Sequence, residues 1–257
     1  LNNVTSGSYN TAIGKQALNN STTSSNSTAV GYNAGAAAGT NLQLNTVLIG
    51  DSAGFGRSGY RTVAVGSGAM SFGSGKTAVN RNTAIGYHAL YRIDTNGADN
   101  IALGHEASQF LTTATQNIAI GDNAARSSTS NSHISIGYHS GYSQTSGFGN
   151  TNLGYQSGYS NTTGVENVNV GYSAGKTATG SQNVAVGRNA FGDGFGHSGI
   201  ANVAMGYLAL SAPSGASNYN VAVGSETLKG FGTKSNNVAV GYKAGFAATT
   251  GNDNVSL

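Results

Sequence analysis

The chain of 257 residues has no cysteine, no tryptophan and a single proline, Pro213. Without cysteine it is not a disulfide scaffold. With one proline, and glycine that does not recur every third residue, it is not collagen. Charge is also scarce: 12 basic and 9 acidic residues give 21, or 8% of the chain, against about 25% in an ordinary soluble domain. The net charge of +3 is too dilute to follow a phosphate backbone, which argues against nucleic acid as a partner. No apolar run approaches the ~20 residues of a membrane helix, so no membrane insertion is expected. Apolar residues make up 38%, and a chain so poor in both classes is disordered if they are scattered. Here they are periodic.

Glycine is in excess, with 40 residues, and much of it belongs to one recurring pattern. The pattern runs Asn, a β-branched residue, a small residue, a large aliphatic, Gly, two variable residues, then Ala or Ser. Clear copies start at Asn10, Asn82, Asn167 and Asn237. The motif glycines are Gly14, Gly31, Gly50, Gly66, Gly86, Gly104, Gly121, Gly137, Gly154, Gly171, Gly187, Gly206, Gly224 and Gly241. Their spacings run from 16 to 20 residues, so the period is about 17 residues, within the range of repeat architectures. Asn254 opens a fifteenth copy, and Leu1-Asn2-Asn3 matches Leu18-Asn19-Asn20. The chain thus starts and stops in mid-repeat, without an initiator Met. The expectation is one repetitive segment over 1–257, cut from a longer fibrous protein.

The residues three and one before each glycine are aliphatic or β-branched, as in Thr11/Ile13, Ile118/Ile120 and Val221/Val223. This period-2 alternation predicts a short half-buried strand. Between them stands a small residue, mostly Ala, which suggests a second surface in close contact. After the glycine, the Ala or Ser three residues on and the Gly or large apolar residue beyond it predict a second short strand or a corner. Ser/Thr/Asn/Gly tails absorb the length variation, as surface loops do.

Two large aliphatics per repeat, at ~1.5–3 kcal/mol each, cannot offset the ~1–2 kcal/mol per residue of backbone entropy. Stacked coils can, with aliphatic columns and a parallel ladder between neighbours. The fold class expected is all-β: a parallel β-solenoid or β-roll of 14 to 15 coils, making a rod roughly 70 Å long at ~4.8 Å per coil. The Ala column offers a flat face for packing on copies of the chain, which predicts a parallel homotrimer, intertwined or side by side.

The unit from Asn82 to Arg92, together with the stretch from Gly154 to Gly175, resembles the repeats of bacteriophage tail fibres. It is also similar to the head repeats of trimeric autotransporter adhesins, which are tighter. The resemblance covers essentially the whole chain. It implies a left-handed trimeric parallel β-roll that is extracellular, on a virion tail fibre or, in the alternative, on a bacterial cell surface. It carries over no catalytic residue.

Tyrosine follows the motif glycine in seven copies, at Tyr32, Tyr87, Tyr138, Tyr155, Tyr172, Tyr207 and Tyr242. In a stack these form a partial outer column, either covering the corners by packing on neighbours or offering a stripe for a glycan or protein receptor. Asn at the first motif position, in ten of fourteen copies, predicts a side-chain ladder that caps backbone groups. Two stretches satisfy G-x-G-x-x-G, Gly54 to Gly59 and Gly194 to Gly199. With no helix to follow and glycine abundant, they read as chance rather than as a dinucleotide site. The Gly-Phe-Gly tails, including Phe148 and Phe231, either tuck Phe inward or expose it as a loop tip. The acids closest in sequence, Asp94 and Asp99, lie in a polar tail and give no paired-carboxylate signature. His133 and His139 flank Gly137 without ligand spacing, and the histidines read as ordinary surface residues.

Four functions are weighed: a tail-fibre shaft or receptor-binding region that attaches to host cells by multivalent contact, the head of a bacterial trimeric adhesin binding host matrix or glycans, a fibre-borne polysaccharide depolymerase, and an ice- or surface-binding solenoid. The first is expected, with no enzymatic activity, no cofactor and no metal. The partners are the chain itself and a host-cell glycan or protein receptor.

Overall fold

The structure, a computed structural model, describes residues 5–36, 43–56, 58–71, 78–94, 96–192, 197–211, 215–230, 232–246 and 251–257. Leu1-Asn2-Asn3, Pro213, Asp193, Phe231 and the second G-x-G-x-x-G stretch at Gly194, Phe195 and Gly196 lie outside these residues, as does Arg57 in the first. The described residues contain β-strands and turns and no helix, so no helix is long and apolar enough to cross a membrane. The chain is a parallel β-solenoid of about 13 turns at a spacing near 17 residues.

It divides into two compact units, Leu1–Asn131 and Ser132–Leu257. In the first, the strands β1 (Thr11–Ile13), β2 (Thr28–Val30), β4 (Val47–Ile49), β6 (Val63–Val65), β8 (Thr83–Ile85), β9 (Ile101–Leu103) and β10 (Ile118–Ile120) pair in that order. In the second, β11 (Ile134–Ile136), β12 (Thr151–Leu153), β13 (Val168–Val170), β14 (Val184–Val186), β15 (Val203–Met205), β16 (Val221–Val223), β17 (Val238–Val240) and β18 (Val255–Ser256) follow one another. Every pair is parallel and matches like motif positions, for example Ala12 with Ala29 and Ala204 with Ala222. The strands are therefore the three residues before each motif glycine. A second sheet, formed in segments whose composition predicts tails, joins β3 (Gln43–Leu44), β5 (Ser58–Tyr60) and β7 (Ala78–Asn80) in the first unit.

The alternation within each strand is as read, but its inside and outside are reversed. The small middle residue points inward: Ala64, Ala84, Ala102, Ala119, Ala185, Ala204, Ala222 and Ala239 are fully buried within the single chain. The aliphatics on either side face out, with Ile49, Ile85, Leu153, Met205 and Val240 all about 40% exposed. The Ala column is therefore not a face left for other copies, because the coil itself has closed over it. With a large corner residue already inside, the strand position has room for a methyl group; where the corner is Gly, a larger residue can enter, as Leu48 does beside Gly54.

The residues after the glycine form a corner rather than a second strand. Its Ala, such as Ala89, Ala107 and Ala209, is buried, and so is the large residue that follows: Leu18, Met70, Leu90, Phe191, Leu210 or Leu228. The apolar core of each unit is built mainly from these two corner positions and the strand alanines, joined in the first unit by Leu48, Val79, Ile93 and Leu111.

The motif glycine has a steric cause. A Cβ on Gly171 would lie 2.7 Å from the carbonyl oxygen of Gly187 in the next coil, and φ there is +130°. The backbone of one coil rests on the glycine of its neighbour. Other residues also adopt left-handed φ coil after coil, among them Leu90 (49°), Leu210 (48°) and Leu228 (48°). Such φ values cost an L-residue roughly 1–2 kcal/mol. Here they are held by coil-to-coil backbone bonds such as Leu90 N–H to the Ala107 carbonyl (3.0 Å) and Leu210 N–H to the Thr227 carbonyl (2.8 Å).

The Asn ladder forms as expected. In the second unit it runs through Asn150, Asn167, Asn183, Asn202, Asn220, Asn237 and Asn254. Each Oδ1 accepts from the backbone N–H and the Nδ2 of the next rung, as in Asn202 to Asn183 at 3.0 Å for both. Each Nδ2 also donates to a tail carbonyl, for example Asn167 to Gly180 at 2.9 Å. In the first unit Asn82, Asn100 and Asn117 repeat the arrangement.

Candidate functional site

The residue after each motif glycine stands where the strand turns the corner, and the in-register coils bring these side chains into one column. In the second unit Tyr138, Tyr155 and Tyr172 stack with centroid separations of 5.1 and 4.9 Å and interplanar angles of 12° and 6°. Arg188 is the next rung. Its guanidinium carbon lies 5.7 Å from the Tyr172 ring centroid and 5.8 Å from that of Tyr207, inside the ~6 Å reach of a cation–π contact. The result is one π ladder of five rungs. A shorter aromatic column lies beside it: Tyr142 and Tyr159 are stacked at 5.1 Å, and His139 bridges the two columns, 3.9 Å from Tyr138 and 4.9 Å from Tyr142.

The first unit is less regular. Lys15 sits over Tyr32 at 6.0 Å. Tyr87 stacks on His88 and, one coil on, on His105 (5.3 Å), whose Nδ1 is 3.4 Å from Asp122. Burial lowers the pKa of His88 below the usual histidine range. Tyr242 stands near the end of the second unit, with Lys243 over its ring and the hydrogen bond to it raising the Lys243 pKa.

All seven motif tyrosines are exposed, at 40% or more. Their environment sets what they can offer. Interior rungs turn their faces to one another, so edges and hydroxyls are what reaches solvent. The rungs repeat at nearly the coil spacing, which makes the surface periodic along the stack.

The remaining candidates are dispersed. Asp99 is held by Arg81 through two bonds of 2.6 and 2.8 Å, which raises the Arg81 pKa and lowers that of Asp99. Glu106 pairs with Arg126 at 2.9 Å, and Glu226 lies within 4 Å of Lys229 and Lys243. Glu166 accepts from Gln182 at 3.1 Å. Phe148 is exposed at its loop tip, while Phe55 is half-buried. Among the described residues no group of three or more His, Asp or Glu is placed to hold a metal ion.

Two histidines read as surface residues are in fact fully buried, His133 and His197. His197 stacks on Phe191 at 5.3 Å. His133 occupies the Asn-ladder position of its coil, and its Nδ1 accepts the Asn150 backbone N–H at 3.4 Å. Burial pushes its pKa down to about 4, a hydrogen bond with the Gly147 backbone opposing that shift. Its place as the first residue of the motif was the available signal.

No protein-family model matches the chain, and neither the curated proteins nor the solved structures give a match.

Proposed function

We propose that the chain is a structural and adhesive fibre segment, a stacked solenoid that holds repeated side-chain rows against a cell surface. The observation that carries this reading is the outer face of the strands. Each strand of the second unit from β11 to β17 presents two outward residues, β18 adds Val255, and none of these residues is charged. An aliphatic strip repeated coil after coil is larger than the patches a solitary soluble chain leaves open. Further copies of the chain fit it, because an uncharged face with an in-register repeat is complementary to itself. Three such faces around one axis give a parallel homotrimer.

A trimer repeats the aromatic column three times, and weak contacts then add through avidity. The resemblance of the repeats to phage tail fibres makes host attachment from an extracellular virion fibre the preferred setting. The head of a bacterial trimeric adhesin is the alternative. On either reading the segment binds and does not catalyse.

Sedimentation tests the assembly: three times the chain mass is expected, and Met205→Glu on the strip is expected to release monomers. A wild-type chain that stays monomeric at high concentration overturns the trimer. Retention of the labelled trimer on host cells tests adhesion. New reducing ends released from host polysaccharide would show an enzyme instead.

A further inference from the structure

Arg188 is the charged rung of the five-rung ladder. Its guanidinium stands between two tyrosine rings, Tyr172 on one side and Tyr207 on the other. Its position on the column is exposed. Among the described residues no carboxylate pairs with it, although Arg81, Arg126, Lys229 and Lys243 all have one. A guanidinium flanked by rings is held in place, and what it can still offer is its edge of N–H donors. That edge matches the planar, two-oxygen geometry of a carboxylate. The tyrosine hydroxyls above and below add hydrogen-bonding groups at the coil spacing.

We propose that the edge formed by Tyr155, Tyr172, Arg188 and Tyr207 binds an acidic polysaccharide in extended form, with a sugar carboxylate on Arg188 and neighbouring sugar hydroxyls on the tyrosine hydroxyls. Three observations converge on this ligand. An extended pyranose chain advances by nearly one coil spacing per sugar, so successive sugars meet successive rungs. Both faces of Tyr155 and Tyr172 and one face of Tyr207 are taken up by neighbouring rungs, which favours a ligand read by hydrogen bonds rather than by stacking. A guanidinium on this column with no carboxylate partner among the described residues selects an anionic sugar over a neutral one. The inference rests on the adhesive reading above and names its ligand class.

The test uses the full chain and three immobilised polymers: polygalacturonate, neutral dextran and dextran sulfate. Polygalacturonate is expected to bind best. Arg188→Gln is expected to weaken that binding by about tenfold or more, the loss of one charge-assisted bidentate contact. Arg188→Lys keeps the charge and loses the fork, and falls between. Lys176→Gln, a cation outside the column, is expected to leave binding within about twofold, below the tenfold of 1.4 kcal/mol. Thermal melts of each variant confirm that the fold is intact. Equal losses for Arg188→Gln and Lys176→Gln, or dextran sulfate binding as well as polygalacturonate, would show diffuse charge attraction and overturn the site. Equal binding of neutral dextran overturns the acidic ligand. Absence of polygalacturonate binding by a chain that still adheres to cells overturns this site and spares the adhesive reading, whereas absence of both removes both.

Discussion

Within the second unit, three coils with a polar interior precede four with an apolar one. In the coils of β14 to β17 the strand contributes Ala185, Ala204, Ala222 and Ala239, and the corners add Phe191, Leu210 and Leu228. In the coils of β11 to β13 the same strand position holds Ser135, Asn152 and Asn169, all buried. Gly141, Gly158 and Gly175 stand at the corner position that the large apolar residues fill elsewhere. A Cβ on Gly158 would collide with Oδ1 of Asn152, and one on Gly175 with Oδ1 of Asn169. The first unit shows the same exchange once in apolar form, where Leu48 in the strand lies 2.8 Å from the Cβ position of Gly54. Many coils exchange interior volume rather than polarity, with Ala in the strand and a large corner residue or a larger strand residue and Gly at the corner; where both are small, as in Ala29/Gly35 and Ala239/Gly245, leucines of adjacent coils (Leu18 and Leu48, or Leu228) reach the Cβ position of the corner glycine.

The two regions are not satisfied equally. Asn169 Nδ2 donates to Asn152 Oδ1 at 2.8 Å. Ser135 Oγ, Asn152 Nδ2, Asn169 Oδ1 and both amide atoms of Gln144 are buried without a hydrogen-bond partner. Each such atom costs roughly 1–3 kcal/mol. The same backbone ladder and the same Asn ladder run through both regions, so these shared elements hold the polar coils in register.

The largest test breaks the volume rule. Gly158→Leu forces a Leu against Asn152, and overpacking together with displaced polar groups is expected to cost about 4–5 kcal/mol. Adding Asn152→Ala recreates the Ala204/Leu210 pair of β15 and is expected to recover most of that loss. A left-handed φ of 58° at residue 158 is no obstacle, since Leu210 adopts 48°. Chemical denaturation of both variants is the measurement, and a double variant no more stable than the single one would refute volume exchange.

A second test compares truncations. Leu210→Ala removes a fully buried side chain from the apolar region and is expected to cost about 3–4 kcal/mol. Asn152→Ala, at the matching depth of the polar region, removes one unpartnered donor and frees one donor of Asn169. Its expected cost is about 1 kcal/mol or less. Equal losses in denaturation midpoint would show that the two interiors contribute alike.

Much of this was legible in the residues, for physical reasons that differ from case to case. The glycine spacing located the strands of the main sheet, because one coil must clear the next at the same place each time. Asn at the first motif position announced its ladder, since an amide both donates and accepts and can satisfy the rung on each side. The inward face was not legible. Period-2 alternation separates two faces without saying which is inside, and the usual preference for burying Ile over Ala fails where the coil is too narrow. The sheet of β3, β5 and β7 was hidden in tails with no alternation of their own. Leucine in left-handed conformation runs against local preference, and only the neighbouring coils impose it. The exchange of strand Asn for corner Gly is present in the repeats, at Asn152/Gly158 and Asn169/Gly175, but the two positions are six residues apart and only the closed coil brings them together. Tyrosine after the motif glycine points to stacking between coils, seen at Tyr138, Tyr155 and Tyr172, whereas Arg188 as a rung follows only from the register of the coils.

The polar region also carries the acid sensitivity. His133 is neutral in the fold, with its pKa pushed down to about 4 from 6.5. As pH falls below 6.5 the unfolded chain takes up a proton that the folded chain refuses until about pH 4. Stability from this group is therefore complete above pH 6.5 and falls by about 3 kcal/mol between pH 6.5 and 4. Hydrogen exchange at Thr151 and Val168 is expected to accelerate over that window more than exchange at Val221 and Val238. His133→Asn restores the Asn of the ladder and is expected to abolish the difference. An unchanged pH response in that variant would place the sensitivity elsewhere.

The smallest effect lies on the outer column. Tyr155 stacks on both Tyr138 and Tyr172, so Tyr155→Ala ends two aromatic contacts over the polar coils. Tyr207→Ala, over the apolar coils, ends only the contact with Arg188. Aromatic pairs add about 0.5–1.5 kcal/mol beyond the area they bury, and exposed cation–π pairs about 0.5–1. The expected order is a loss of about 1–2 kcal/mol for Tyr155→Ala and under about 1 for Tyr207→Ala. If the column clamps the polar coils from outside, the Tyr155 variant must also speed amide exchange in β12 and β13, while the Tyr207 variant leaves β15 and β16 protected. A coil whose interior is under-satisfied gains more from an outer stack than one already filled with leucine and alanine. Identical exchange changes at the two sites would show that the column is indifferent to what lies beneath it.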